Sequence, residues 1–190
     1  VLFSTSSLLA QKKMTFSTLG ISQGLSNSLV YDIVEDKNGF IWIATSNGLN
    51  RYDGYTIKKF QNDPLDSNSI SFNKITSIVA VNDGLFLGTR GGGLIFYNNE
   101  TDIFSKIEAE DSVMQNQILG IFDLSMDYEG TLWLATGKGI IKYHPQTNKF
   151  VELKYSKNGE QLSTLSFNIQ KILITKDQDV YAASNGGGLF

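Results

Sequence analysis

The sequence predicts an all-β chain: an incomplete β-propeller ring of about four blades, each a four-stranded antiparallel sheet. Three observations predict it. One unit is written four times, and its matching residues Thr45, Thr89, Thr136 and Ser184 stand 44, 47 and 48 positions apart. Within each unit short apolar runs alternate with Gly- and Asn-rich turns, and four strands in about 45 residues make one propeller blade. The composition agrees, with 18 glycines for tight turns, only 2 prolines and 12% aromatic residues. Helical repeats of similar length would need an apolar period of 3.6 residues, and the chain has none.

The clearest unit is 36–54, DKNGFIWIATSNGLNRYDG. It recurs as DGLFLGTRGGGLIFY (83–97), as DYEGTLWLATGKGIIKY (127–143) and as DVYAASNGGGLF (179–190). The repeats lie near 25–64, 69–108, 115–154 and 166–190. In the first, strands are expected at Leu29–Glu35, Phe40–Ala44, Leu49–Tyr52 and Tyr55–Phe60. The first of these is rich in β-branched residues and reads as a strand buried on both faces. Asn38-Gly39 and Asn47-Gly48 mark turns, because both residue types tolerate positive φ. Pro64 places 61–69 in a connecting loop. The second unit predicts strands within Ile70–Val81, Leu85–Gly88, Leu94–Tyr97 and Ile103–Ile107. The third predicts them near Ile118–Met126, Thr131–Ala135, Ile140–Tyr143 and Phe150–Leu153, the fourth near Ile169–Thr175 and Val180–Ala183.

The first ten residues, VLFSTSSLLA, read as the end of a secretory signal peptide with Ala10 before the cleavage point. Residues 11–190 are then the first part of the propeller, and the chain is expected to be a fragment of a longer protein. Met14–Leu19 reads as a lone strand of the kind that closes a ring by pairing with the last blade. Unpaired edges of such a fragment invite association. No apolar run reaches the ~18 residues of a membrane helix.

Charge and chemistry exclude several classes. Sixteen basic and nineteen acidic residues leave a net charge of −3, without the basic face of a nucleic-acid binder. The absence of cysteine removes disulfides, thiolate catalysis and Cys-based metal sites. The sole histidine, His144, sits in a turn beside Pro145, and a general base needs an oriented partner. The runs Gly91–Gly93 and Gly186–Gly188 precede no Lys-Ser/Thr and no helix, so they are turn glycines rather than phosphate loops. The D-x-x-G turns at Asp36 and Asp127 lack the rest of a calcium loop; an Asp side chain bracing its own turn explains them. Trp42 and Trp133 fall at equivalent points of an apolar strand, which fits packing between blades better than sugar stacking. No catalytic residue, metal ligand or cofactor is expected.

Taken together, GLSNSLVYDIVEDKNGFIWIATSNGLNRYDG and LWLATGKGIIKY resemble the two-component-regulator propeller repeat. The GLS lead-in, the D-x-x-G turn, the W-I-A-T strand and the G-L-x-x-Y-D hairpin carry the likeness. The second unit departs with Phe86 for Trp and the fourth with Tyr181 and Ser184. The resemblance implies the periplasmic sensor region of a membrane-anchored hybrid histidine kinase, dimeric at full length, completed by further blades and tuned to oligosaccharides that control polysaccharide-utilisation genes. A diguanylate cyclase output, a secreted propeller enzyme such as a lyase or glycosidase, or a plain scaffold are the alternatives.

Ligand contacts in a propeller come from one face. The turns between second and third strands put Asn47, Arg90, Lys138 and Asn185 on that face. The approaches to the first strands add Asn27, Asn73 and Gln117. Amides and cations at these points suit the hydroxyl and carboxylate groups of an oligosaccharide ligand.

Overall fold

A computed structural model describes residues 15–155, 163–164 and 167–190. Blade one is β1 (Val30–Glu35), β2 (Ile41–Thr45), β3 (Gly48–Tyr52) and β4 (Ile57–Phe60). Blade two is β5 (Ile75–Val81), β6 (Gly84–Thr89), β7 (Leu94–Asn98) and β8 (Ile103–Ile107). A short helix α1 (Ser112–Ile118) leads into blade three, formed by β9 (Ile121–Met126), β10 (Leu132–Thr136), β11 (Gly139–His144) and β12 (Lys149–Glu152). A two-stranded ladder of β13 (Lys154–Tyr155) and β14 (Ser163–Thr164) precedes blade four, which holds β15 (Asn168–Ile174), β16 (Val180–Asn185) and β17 (Gly188–Leu189). Within each blade consecutive strands pair antiparallel. The first strands of successive blades, β1, β5, β9 and β15, pack side by side along the inside of the arc. The fold is the expected propeller.

Local chemistry explains why the units fold alike. The Asp36 carboxylate accepts the N–H groups of Asn38 (2.8 Å) and Phe40 (3.1 Å), and also the indole Nε1–H of Trp42 (2.7 Å). Asp127 does the same for Glu129, Thr131 and Trp133, the last at 2.8 Å. One side chain thus braces the D-x-x-G turn and satisfies a buried indole, so Asp and Trp six positions apart are one device. Where blade two has Phe86, the turn shortens to Asn82-Asp83 and the brace is gone. Where blade four has Tyr181, Thr175 replaces the aspartate and bonds only the Asp179 N–H.

Packing between blades follows a single rule: one face of each sheet covers the next. Trp42, Ala44 and Leu49 of blade one meet Ile78, Leu85, Leu87, Ile95, Tyr97 and Phe104 of blade two. Phe86 and Leu94 meet Ile121, Leu124, Leu132, Leu134 and Ile141 of blade three. Trp133, Ala135 and Ile140 meet Ile169, Ile172 and Ala182 of blade four. Aromatic pairs add directional contact, Trp42 lying 5.6 Å from Phe60 and 5.0 Å from Tyr97. Both tryptophans are buried as packing residues. At the arc's ends the rule lacks a partner. Leu173, Tyr181 and Leu189 of blade four, and Leu29, Val30 and Ile33 of blade one, are exposed.

Several expectations need correction. β1 is not buried on both faces; its backward face looks outward from the arc. Thr15–Leu19 forms no strand, so ring closure by this segment is not seen; Met14 and the proposed signal-peptide remnant lie outside the described residues. β4 starts at Ile57 rather than Tyr55, because the Asp53 carboxylate holds the N–H groups of Tyr55 and Thr56 in a turn. Ile70 is a buried loop residue and β5 begins at Ile75. Residues 112–118 are helical, which the sequence reading did not foresee. Asp111 caps that helix by accepting the Met114 N–H at 2.8 Å. Its two turns are too short to display a period. His144 ends β11 half-buried, its Nδ1 3.3 Å from the Thr131 hydroxyl, rather than lying free in a turn.

Candidate functional site: the upper rim of the arc

The rim that carries the β2–β3, β6–β7, β10–β11 and β16–β17 turns also carries the loops between blades. Each turn stands on the same pedestal. Thr45, Thr89, Thr136 and Ser184 donate from their hydroxyls to the carbonyls of Gly48, Gly93, Gly139 and Gly188. They accept the N–H groups of Asn47, Gly92, Lys138 and Gly187. A hydroxyl used in both directions fixes the turn and lifts the next side chains outward.

Asn47, Arg90, Lys138 and Asn185 all lie in these turns, as expected. Arg90, Lys138 and Asn185 are exposed and Asn47 is half-buried. The connecting-loop residues divide. The Asn27 side-chain Oδ1 accepts the Leu29 N–H at 2.8 Å and so shapes its own loop. Asn73 accepts the Asn62 N–H at 2.7 Å and lines a cleft of about 290 Å³ with Ser46, Asn62, Ser71, Phe72 and Lys74. Gln117 belongs to α1, not to a strand approach. The fold therefore brings Asn47, Asn73 and Arg90 to adjoining parts of the rim, with Lys138 one blade further on and Asn185 beyond it.

The glycine runs serve the same rim. Gly91 and Gly93 have φ of 137° and 84°. Between them, a Cβ on Gly92 would come within 2.4 Å of Phe72. Phe72 can lie across the turn only because nothing projects there. Blade four repeats the arrangement with Phe167 against Gly187.

Sequence reasoning missed the inner-strand bulges. Every first strand shifts register near its upper end, at Tyr31, Thr76, Phe122 and Gln170. Tyr31 and Phe122 receive cations from blade two. Lys74 Nζ lies 5.7 Å from the Tyr31 ring centre, and the Arg90 guanidinium 4.4 Å from that of Phe122. Lys74 and Arg90 are themselves joined, the Arg90 N–H donating to the Lys74 carbonyl at 3.0 Å. The signal available was the spacing of Tyr31 and Phe122, which tracks the repeat.

One position below the bulge, Asp32, Ser77, Asp123 and Lys171 form a polar belt across the blades. Asp32 accepts the Ile78 N–H (2.8 Å) and the Ser77 hydroxyl (3.0 Å). Ser77 accepts the Leu124 N–H at 3.1 Å, and Asp123 the Ile172 N–H at 2.9 Å. Asp123 also receives the Lys171 ammonium at 2.7 Å. Each of the first three blades thus offers an acceptor to the backbone of the next.

The strongest titration effects lie away from this rim. Burial, then the hydrogen bond to Asp102, push the Tyr97 hydroxyl above its ordinary range. Tyr97, followed by Lys58, holds the Asp102 carboxyl below the usual carboxylate range. Lys58 and Arg51 reach Asp102 at 2.9 and 3.8 Å, so this cluster ties blade one to blade two.

Antiparallel blades stacked by apolar and aromatic faces, with turns braced by hydroxyls and aspartates, define a β-propeller. The two component regulator propeller model matches residues 24–47, within blade one. The extracellular domain of BT3049 from B. thetaiotaomicron, assigned to a hybrid two component system, superposes with a TM-score of 0.76 at 28% identity. That match covers 91% of this chain and 24% of that one. The corresponding domain of BT4673 gives a TM-score of 0.67 at 24% identity over 88% of this chain and 22% of that one, a likeness of fold. Histidine kinase P4 of Formosa agariphila is 47% identical over 66 residues, which make up 34% of this chain and 5% of that protein. The chain is homologous to extracellular propeller domains of hybrid two-component sensors and spans about a quarter of the solved ones.

Proposed function

We infer that the chain is part of the ligand-sensing region of a hybrid two-component histidine kinase, displayed outside the cytoplasm in the periplasm. The observation that carries this reading is the 28% identity to an extracellular sensor domain over 91% of the chain. Its work is binding, with chemistry left to a kinase portion elsewhere in the longer protein. The ligand is an oligosaccharide released from a polysaccharide, and the output regulates genes for using it. Support comes from the upper rim, where Asn47, Asn73, Arg90 and Lys138 offer hydroxyl- and carboxylate-binding groups beside the rings of Phe72 and Phe122. The exposed face of blade four receives a further blade of the same protein, and the full-length sensor works as a homodimer.

The test is a thermal-shift screen of the full chain against an oligosaccharide library, with product analysis. A sugar at about 100 times its Kd raises Tm by about 5–10 °C for a chain of this size. Such a shift without cleavage supports the sensor. Cleavage of the sugar would indicate a propeller enzyme, and a library without a binder would leave a scaffold.

A further inference from the structure

We propose that the upper rim between blades one and three selects an anionic ligand group, the carboxylate or sulfate of an acidic sugar, at a site built from Lys74, Arg90, Lys138, Tyr31 and Phe122. The proposal rests on the sugar-sensing reading and narrows it.

Charge carries the argument. The chain has more acidic than basic residues, 19 against 16, yet this part of the rim is cationic. The salt bridges among the described residues are Arg51–Asp102, Lys58–Asp102, Lys106–Glu108 and Lys171–Asp123. Lys74, Arg90 and Lys138 enter none of them. The carboxylates that follow Tyr31 and Phe122 in sequence, Asp32 and Asp123, are engaged with the neighbouring blade. Asp32 holds the N–H groups of Ile33 and Ile78 and the Ser77 hydroxyl. Asp123 holds the Ile172 N–H and the Lys171 ammonium. Neither forms a salt bridge with Lys74, Arg90 or Lys138.

Geometry makes those cations usable. The Arg90 guanidinium rests on the Phe122 ring at 4.4 Å, which holds it flat and keeps its edge free for a two-point bond to a carboxylate or sulfate. Its backbone is pinned by the N–H bond to Lys74 and by a bridge to Gly120. Lys74 also lines the cleft of about 290 Å³ with Phe72, Asn73, Asn62 and Ser46, just below ligand-site volumes of about 300–1,000 Å³. A sugar ring in that cleft sets its hydroxyls against amides and its acidic substituent toward Lys74 and Arg90. A neutral sugar would leave that edge of the site unused.

Isothermal titration of the full chain with matched pairs tests this. The probes are tetragalacturonate with its methyl ester, and a sulfated galactan tetrasaccharide with its desulfated form. At least one acidic member should bind about tenfold or more tightly than its neutral partner, the loss expected for one charge-assisted hydrogen bond. Raising the salt concentration should weaken it. Lys74→Gln and Arg90→Gln should each abolish the preference without lowering Tm, whereas Lys59→Gln, on the outer strand, should leave it intact. Equal binding of acidic and neutral partners, or Gln variants that keep the preference, would overturn the proposal and leave sugar sensing standing. Failure of all four sugars to bind would overturn both.

Discussion

The paired Asp36 and Trp42 offer the sharpest test of how the repeat is held. The Asp36 carboxylate has three hydrogen bonds, to Asn38 N–H, Phe40 N–H and Trp42 Nε1–H. Trp42 is fully buried. In Asp36→Ala the indole N–H loses its partner inside the protein, which costs about 1–3 kcal/mol. The two turn N–H groups lie near water and add about 1 kcal/mol between them. Trp42→Phe removes ring area packed on Phe60 and Tyr97 and leaves a small cavity, at about 2 kcal/mol. In the double variant no indole needs a partner, so only the turn component of Asp36→Ala remains. The sum of the single effects should therefore exceed the double by about 2 kcal/mol. Urea denaturation followed by circular dichroism measures all three variants independently of the lost fluorophore. Asp127 and Trp133, joined at 2.8 Å, should give a coupling of similar size. A coupling below about 0.5 kcal/mol in both blades, the range of independent sites, would refute the reasoning.

Other outcomes follow from single contacts. Ser77→Ala leaves the Leu124 N–H unpaired between blades two and three; about 1–3 kcal/mol of stability is lost and hydrogen exchange at Leu124 speeds up. Gly92→Ala drives a Cβ to 2.4 Å from Phe72, and denaturation should show a loss of about 1–3 kcal/mol. Asp53, held at about 2 by Thr56 and Tyr55 N–H groups, and Asp102, lowered by Tyr97 and Lys58, both bind protons less readily when folded. Their contributions are full above about pH 4 and fade as pH falls through the folded values; Asp53→Asn and Asp102→Asn should flatten that acid limb of the urea midpoint. Tyr97 is raised instead, so its contribution holds below about pH 10 and fades above it, a limb that Tyr97→Phe removes. The apolar face of Leu173, Tyr181 and Leu189 should make the chain self-associate in sedimentation, and Leu173→Glu with Leu189→Glu should restore a monomer.

Much of the fold was legible because the repeat writes its local chemistry in fixed residue types. Gly39 and Gly130 stand at φ of 82° and 79° where the turns demand them. The Thr/Ser pedestals kept one hydroxyl at one place in each unit, which is why their spacing gave the period. The two tryptophans were legible as packing residues because each sits inside an apolar strand. The helix at 112–118 was hidden because two capped turns need no amphipathic pattern. The polar belt was hidden for a different reason. Asp32, Ser77, Asp123 and Lys171 are three different side-chain types at one position, so no motif marks it. Of the rim residues, those in turns were legible from spacing. Tyr31, Phe122 and Lys74 were not, because a bulge inverts the face that simple strand alternation assigns.

The belt also distinguishes the exposed face of blade four from the three interfaces before it. Asp32, Ser77 and Asp123 each accept a backbone N–H from the following blade, which fixes the register between neighbouring inner strands as well as their contact. Lys171 occupies the fourth place and has no acceptor; its ammonium turns back to Asp123. A sheet laid on blade four would gain the apolar contact of Leu173, Tyr181 and Leu189 without that register-setting bond. Hydrophobic contact is non-directional, so such a joint can slide where the earlier ones cannot. The three stitched interfaces hold the four blades in register as one block.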